Sequence, residues 1–296
     1  VTDSAPLWQR LGLPGVIDAH THFLPPNVMV KVRAQFDAAG PLIGHAWPLA
    51  YRDDEASLVG ALRQLGVRRF TALPYAHRPG MAEWLNDWAA GFAERVPEAL
   101  VSATFFPEPG AGAAVQARVA AGVDVFKVHV QVGGFDVRDP LLGEAWGVLA
   151  DAGTPVVLHA GSGPVATEHT GPAPVADLLR RHPTLRLVIA HAGAPEYAEF
   201  LTLAETFERV HLDTTMVFTD FFGELGAPYP PELLPRLRDL GSKVLLGSDF
   251  PNIPYPYDHQ LEALERLGLG EEWLRAVLWD NAVGLWGEPA SAAGPE

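Results

Sequence analysis

Four short apolar runs each end on a side chain able to bind a metal ion. They are Val16-Ile17-Asp18-Ala19-His20-Thr21-His22, Val156-Val157-Leu158-His159, Leu187-Val188-Ile189-Ala190-His191 and Val244-Leu245-Leu246-Gly247-Ser248-Asp249. Neutral imidazoles with one carboxylate suit zinc or a similar divalent cation. His20 and His22 stand two apart, so on a strand both face one side and can grip one ion together. Each residue also has a plain reading. A lone strand histidine is usually a hydrogen-bonded core residue, and Asp249 could cap a helix ahead of Pro251. The plain reading fails for the pair, because it buries two imidazoles side by side without a reason. Three histidines and one aspartate at separate strand ends would fill one coordination shell. Asp18 lies on the same face as His20 and reads as a buried acceptor behind the ligands, or as a structural partner.

Lys127 and His129 are also two apart, in Val125-Phe126-Lys127-Val128-His129, so both should face the interior. Three readings suit the lysine: a salt-bridged barrel residue, a cationic partner for substrate or Asp18, or a carboxylated lysine bridging two metals. The salt bridge is the plainest. Arg78 and Arg138 fall in loops and are the candidates for holding a substrate carboxylate, since a guanidinium binds it in a bidentate manner. His45, His182, His211 and His259 carry no placement argument and read as structural.

Side chains at strand ends need strands to deliver them. Eight candidates are read at 16–23, 68–75, 99–106, 123–131, 155–160, 186–192, 210–216 and 244–249. Helical periodicity lies between them. Leu58, Leu62 and Leu65 follow the acidic capping signals Asp53 and Asp54. Trp84, Trp88 and Phe92 recur four apart, and Leu142, Trp146 and Leu149 form a later stripe. Residues 271–286 predict a closing helix. Eightfold strand–helix alternation predicts an α/β fold, a (β/α)₈ TIM barrel in one domain over 1–288, whose chemistry gathers at the carboxyl ends of its strands. The stretch 24–56 is too long for a simple connection and reads as an insertion, a lid over the mouth. A doubly wound sheet would show a Gly-rich turn after its first strand, and His20-Thr21-His22-Phe23-Leu24-Pro25-Pro26 is not one. The tail 289–296 reads as disordered.

Composition bounds the function. The 296 residues are 48% hydrophobic, enough for a sizeable core. A net charge of −15 argues against nucleic acid and anionic membrane as partners. With no cysteine, disulfides and thiolate ligands are excluded. Residues 1–10 lack the pattern of a signal peptide, and no run is long enough to span a bilayer. The expectation is a cytoplasmic protein with a small-molecule substrate, a homodimer being compatible.

The ordered motifs resemble the amidohydrolase superfamily, in the amidohydrolase-related branch that includes aminocarboxymuconate semialdehyde decarboxylase and lactone hydrolases. The resemblance runs from Ile17-Asp18-Ala19-His20-Thr21-His22 through Phe126-Lys127-Val128-His129, Leu158-His159-Ala160-Gly161 and Ala190-His191-Ala192-Gly193 to Gly247-Ser248-Asp249-Phe250-Pro251 and Asp280-Asn281-Ala282. It implies a barrel with a divalent metal, usually zinc, on residues matching His20, His22, His159 and Asp249. The position matching His191 faces substrate or a second metal, and Lys127 is a further candidate ligand. Such a cation activates water near neutrality. Asp249 would then act as the base and His191 would stabilise the oxyanion. The expected activity is metal-dependent hydrolysis of a small amide, ester or lactone. The alternative is decarboxylation of a small unsaturated or aromatic acid, and a barrel that has lost its chemistry is disfavoured by the complete ligand set.

Overall fold

The computed structural model describes residues 5–289, so the expected disordered tail lies outside the described residues beyond Pro289. Its strands are short and mostly buried on both faces, as a parallel sheet wrapped in helices requires, with Arg68 of the second strand the exposed exception. They are β1 Val16–Asp18, β2 Val67–Thr71, β3 Ala99–Leu100, β4 Ser102–Thr104, β5 Val125–His129, β6 Val156–His159, β7 Leu187–Ile189, β8 Val210–Asp213 and β9 Val244–Leu245. β3 and β4 are one strand interrupted at Val101, which leaves eight strand positions alternating with helices. All pairings are parallel, in the arcs β1-β2-β3 and β4 through β9.

Two seams turn these arcs into a (β/α)₈ barrel. At the first, the Ala19 N–H donates to Leu246 O (2.8 Å) and Thr21 bridges Phe250 in parallel. At the second, between β2 and β4, side chains replace the backbone ladder. The Ala72 N–H donates to Ser102 Oγ (3.0 Å) and the Ala76 N–H to Thr104 Oγ1 (3.2 Å). Asn86, on the helix Ala82–Arg95, presents both faces of its amide to Thr104. Its Nδ2 donates to Thr104 O (3.0 Å) and its Oδ1 accepts from Thr104 N (2.8 Å). On that helix the buried stripe is Leu85, Ala89 and Phe92, while Trp84 is 46% exposed. The four-residue spacing of Trp84, Trp88 and Phe92 drifts off a face that repeats every 3.6 residues.

The closing helix over 271–286 forms with a π turn at its centre, Ala276–Asp280. A π turn shifts the backbone register, and here the Val277 carbonyl accepts from the Leu246 N–H (3.0 Å). That bond secures the chain just beyond β9, three residues before Asp249. The long stretch after β1 folds into helices Pro26–Asp37 and Gly40–Ile43. It is tied down by Trp47 Nε1, which donates to Asn252 O (2.8 Å), and by the Ala50 N–H to Ile253 O (2.9 Å). The next helix, Glu55–Gln64, is capped by Asp54, whose side chain accepts from the Ser57 N–H. Among the described residues no helix is long and apolar enough to cross a membrane.

Asn86→Leu should expose the cost of the second seam. It leaves a buried N–H and a buried carbonyl of Thr104 without the partners Asn86 supplies, at about 2–4 kcal/mol. Urea unfolding of the variant should show a matching fall in midpoint, and an unchanged midpoint would mean the seam does not depend on this side chain.

Candidate active site

His20, His22 and Asp249 come together at the carboxyl ends of β1 and β9, each buried and each offering a ligand atom within 4.8 Å of the others. Backbone and carboxylate acceptors decide which nitrogens face inward. His20 Nδ1 meets Asp213 Oδ2 at 2.8 Å, and His22 Nδ1 meets the Leu73 carbonyl at 2.9 Å. Both partners only accept, so each ring carries its proton on Nδ1 and points a lone pair inward from Nε2. The two Nε2 atoms stand 3.2 Å apart, and Asp249 Oδ1 lies 2.9 Å from that of His22. Converging lone pairs beside a carboxylate are repulsive unless a cation sits among them, and Lys127 reaches only that of His20, at 3.0 Å. The donor set therefore fits a divalent ion, with two imidazoles and one carboxylate held in place from behind.

The fourth neighbour of this group is Lys127. Its Nζ lies 3.0 Å from His20 Nε2. The expected salt bridge is absent: no carboxylate lies within the 4.0 Å of an ion pair among the described residues. Burial lowers its pKa to about 8 against the opposing pull of Asp213 and Asp249. His20 is pushed down to about 3, chiefly by burial and then by Lys127, and so stays neutral. His159 stands outside the compact group. Its Nε2 donates to Gly163 O (3.0 Å), and its ring lies flat on His129 with centroids 3.9 Å apart. Burial holds His129 and His159 well below the ordinary imidazole range. The first-strand pair and Asp249 thus form the core of the set, with Lys127 beside them and His159, the third histidine expected, outside it.

His191 borders the same space, its ring centroid 5.3 Å from His20 and 4.8 Å from His159. Its backbone is left-handed, at φ 54°, as is that of Asp249 at φ 69°. Non-glycine residues held there carry strain, and such strain gathers at functional sites. His191 Nδ1 donates to Thr215 O (3.1 Å), which leaves Nε2 an acceptor in the neutral ring. The oxyanion-stabilising role expected of His191 needs a proton that this tautomer does not have on Nε2.

Two functional residues escaped the sequence reading. Asp213 ends β8 and is fully buried. Besides His20 it accepts from the His191 N–H (2.8 Å) and the Thr215 N–H (3.1 Å). Burial opposes its charge, but the attraction and hydrogen bond of His20 and the pull of His191 hold its carboxyl well below the usual range. Its sign was available, since Val210-His211-Leu212-Asp213 ends a strand on a metal-binding side chain, as the other four runs do. Asp18, the acceptor read behind His20, instead takes the His20 N–H (3.0 Å) and the Tyr257 hydroxyl (2.9 Å), and burial raises it to about 7. Tyr75 is the second. It packs edge-on against His22 at 5.5 Å and beside His129 at 5.4 Å. Burial and then Asp249 raise its pKa, so it remains a protonated donor.

These groups form the floor of a cavity of about 830 Å³, inside the usual range for small-molecule sites, about 300–1,000 Å³. Neither proposed substrate arginine lines it. Arg138 is bound to Asp136 (2.7 Å) and Asp177 (2.8 Å), and Arg78 lies on the exposed stretch 77–80. Both are corrected from substrate ligands to residues outside the cavity. The partners of Arg138 neutralise it locally, and Asp177 is 39 residues away in sequence.

Residues 17–287 match the amidohydrolase family. No curated protein matches the sequence. Solved structures of similar fold include an uncharacterized TIM-barrel protein of Bordetella bronchiseptica, 18% identical, with a TM-score of 0.73 over 92% of this chain and 98% of that one. Another is a 5-carboxyvanillate decarboxylase of Novosphingobium aromaticivorans complexed with manganese, 12% identical, TM-score 0.65, covering 97% and 99%. A third is a probable 2-pyrone-4,6-dicarboxylic acid hydrolase of Acinetobacter baumannii, 15% identical, TM-score 0.58, covering 93% and 100%.

Asp213→Asn tests the tautomer argument. An amide can turn its NH₂ toward His20 Nδ1 and release the ring from its orientation, and loss of such a partner typically weakens metal binding about 10–100-fold. Elemental analysis should find about one divalent ion per chain in the parent, because one compact donor set is present among the described residues. Chelator competition should find the variant folded and correspondingly weaker, whereas parental affinity in the variant would show that Asp213 does not set the ring.

Proposed function

The chain belongs to the amidohydrolase family, and from that premise we propose that it is a metal-dependent hydrolase of a small amide, ester or lactone. The ion we propose is zinc, given the imidazole-rich donors His20 and His22 with Asp249. His159, whose Nε2 is bonded to Gly163 O, stands outside the compact set and would have to move to join them. When bound, a divalent cation supplies Lewis acidity and lowers the pKa of water toward about 7.

The observation that carries the reading is Asp249 itself. Its carboxylate touches the ligand set and also lines the cavity. Burial opposes its charge, but the imidazoles of His22, His20 and His191 outweigh that and keep it ionised. An ionised carboxylate can take a proton from an attacking water and pass it to a leaving group. Tyr75, with its proton retained, and Lys127 are the donors available to an oxyanion. His191 Nε2, an acceptor, is a second base or an additional ligand. Decarboxylation of an acid would ask for a cation to hold the carboxylate; Arg78 and Arg138 lie away from the cavity, which leaves Lys127 and the metal ion for that task.

Asp249→Asn should retain much of its metal and lose turnover by about 10²–10⁴-fold, in kcat more than in KM. Metal-loaded parent and variant would be compared on panels of lactones, esters and amides, with carbon dioxide release from unsaturated and aromatic acids measured in parallel. Carbon dioxide release without hydrolysis would replace the hydrolase reading with the lyase one.

A further inference from the structure

The cavity changes character sharply from floor to wall. Every ionisable side chain in its lining belongs to the floor. These are His20, His22, Tyr75, His129, His159 and His191 with Lys127 and Asp249, and the one lysine or arginine among them is Lys127. Above them the wall is mostly apolar and carries no charge, its polar side chains being the neutral Gln35, Gln131, Ser162, Thr167 and Asn252. Val32, Phe36, Ile43 and Trp47 come from the stretch after β1, and Phe222 and Leu225 from the stretch after β8. Phe36 packs on Trp47 at 5.1 Å, and Phe222 lies parallel to His191 at 5.9 Å, so the wall begins directly against the floor. At the rim, Leu42 and Val132 also line the cavity while remaining 73% and 46% exposed. Large apolar side chains left in water at a cavity mouth mark a place where something apolar is received.

We infer that the site selects an uncharged acyl compound with an apolar alkyl or aryl body, and discriminates against substrates carrying a carboxylate remote from the reacting group. This rests on the hydrolase reading and adds the substrate class. The reacting carbonyl sits on the polar floor, and the body fills the apolar chamber beneath Leu42 and Trp47. A second carboxylate on that body would leave water for a wall where, among the described residues, no arginine and no other lysine meets it. Burying such a charge without a partner is strongly unfavourable. The net charge of −15 adds a general repulsion of anions on approach.

Binding of unreactive ligands to the metal-loaded protein tests this without relying on turnover. The probes are 2-heptylcyclopentanone and 2-(6-carboxyhexyl)cyclopentanone, with 2-alkylcyclopentanones of shorter chain, measured by calorimetry. The neutral ketone should bind at least about tenfold more tightly than its carboxylated counterpart, and affinity should rise about two- to fourfold per methylene while the chain stays within the wall. Leu42→Arg, at an exposed position that does not threaten the fold, should narrow or reverse the preference. Equal or tighter binding of the carboxylate by the parent would overturn the inference, as would a chain-length series with no slope. An unaltered preference in Leu42→Arg would remove the rim from it. Failure of the hydrolase reading would appear separately, as metal-dependent carbon dioxide release or no hydrolysis despite the neutral preference.

Discussion

The carboxylate of Asp213 is the constraint on which the site depends. Its Oδ2 fixes the proton of His20 on Nδ1, and its Oδ1 takes the backbone N–H groups of His191 and Thr215. One buried anion thereby sets a ligand tautomer and anchors the left-handed turn that carries His191. It can approach this closely because Gly247, on the adjacent strand end, has no side chain. A Cβ there would collide with Thr215 Oγ1 and with the Cβ of His20. Backbone geometry, tautomer and ligand direction thus follow from one group placed where three strand ends meet. A buried carboxylate with three donors is a stable arrangement, because each hydrogen bond favours the charged form.

The barrel serves this arrangement by ending its strands early. β1 has three residues and β9 two, yet the reactive groups lie two to four residues beyond these strands. Those residues are held by bonds that are not part of the ladder: His22 N–H to Phe250 O, Asp249 N–H to His20 O, and Leu246 N–H to the π turn. The ends of β1 and β9 therefore brace each other across the first seam, where the ligands are. The second seam is sealed by the side chains of Ser102, Thr104 and Asn86 in place of a backbone ladder.

Much of this was legible in the sequence, for identifiable reasons. An apolar strand ending on histidine or aspartate joins two signals, burial and chemistry, and neither needs a distant partner to be seen. Eight strand positions and the convergence of His20, His22 and Asp249 follow from it. What was not legible depends on partners set by the fold. Arg138 appeared free because Asp177 is remote in sequence. Lys127 appeared to need a carboxylate, but the barrel brings it to a histidine nitrogen. Asp213 was overlooked because a polar His211 interrupts its run, and a strand-end aspartate is ordinary until a ring is seen behind it. The proton positions on His20, His22 and His191 could not be read at all, since each is decided by an acceptor from another strand or loop.

The division between polar floor and apolar wall also bears on how the floor works. Electrostatic interactions strengthen as water is excluded, so an apolar chamber above Asp249, Tyr75 and Lys127 raises the effect of each on a developing charge. The same chamber makes any unneeded charge on the ligand costly. Reactivity and selectivity therefore share one physical origin. A wall made polar enough to admit a second carboxylate would also admit the water that weakens the floor. The stretch after β1 settles this balance, because it supplies Phe36, Ile43 and Trp47 and is pinned to the loop that follows Asp249 through the Trp47–Asn252 bond. The segment that selects the ligand is thus mechanically joined to the residue that would act on it.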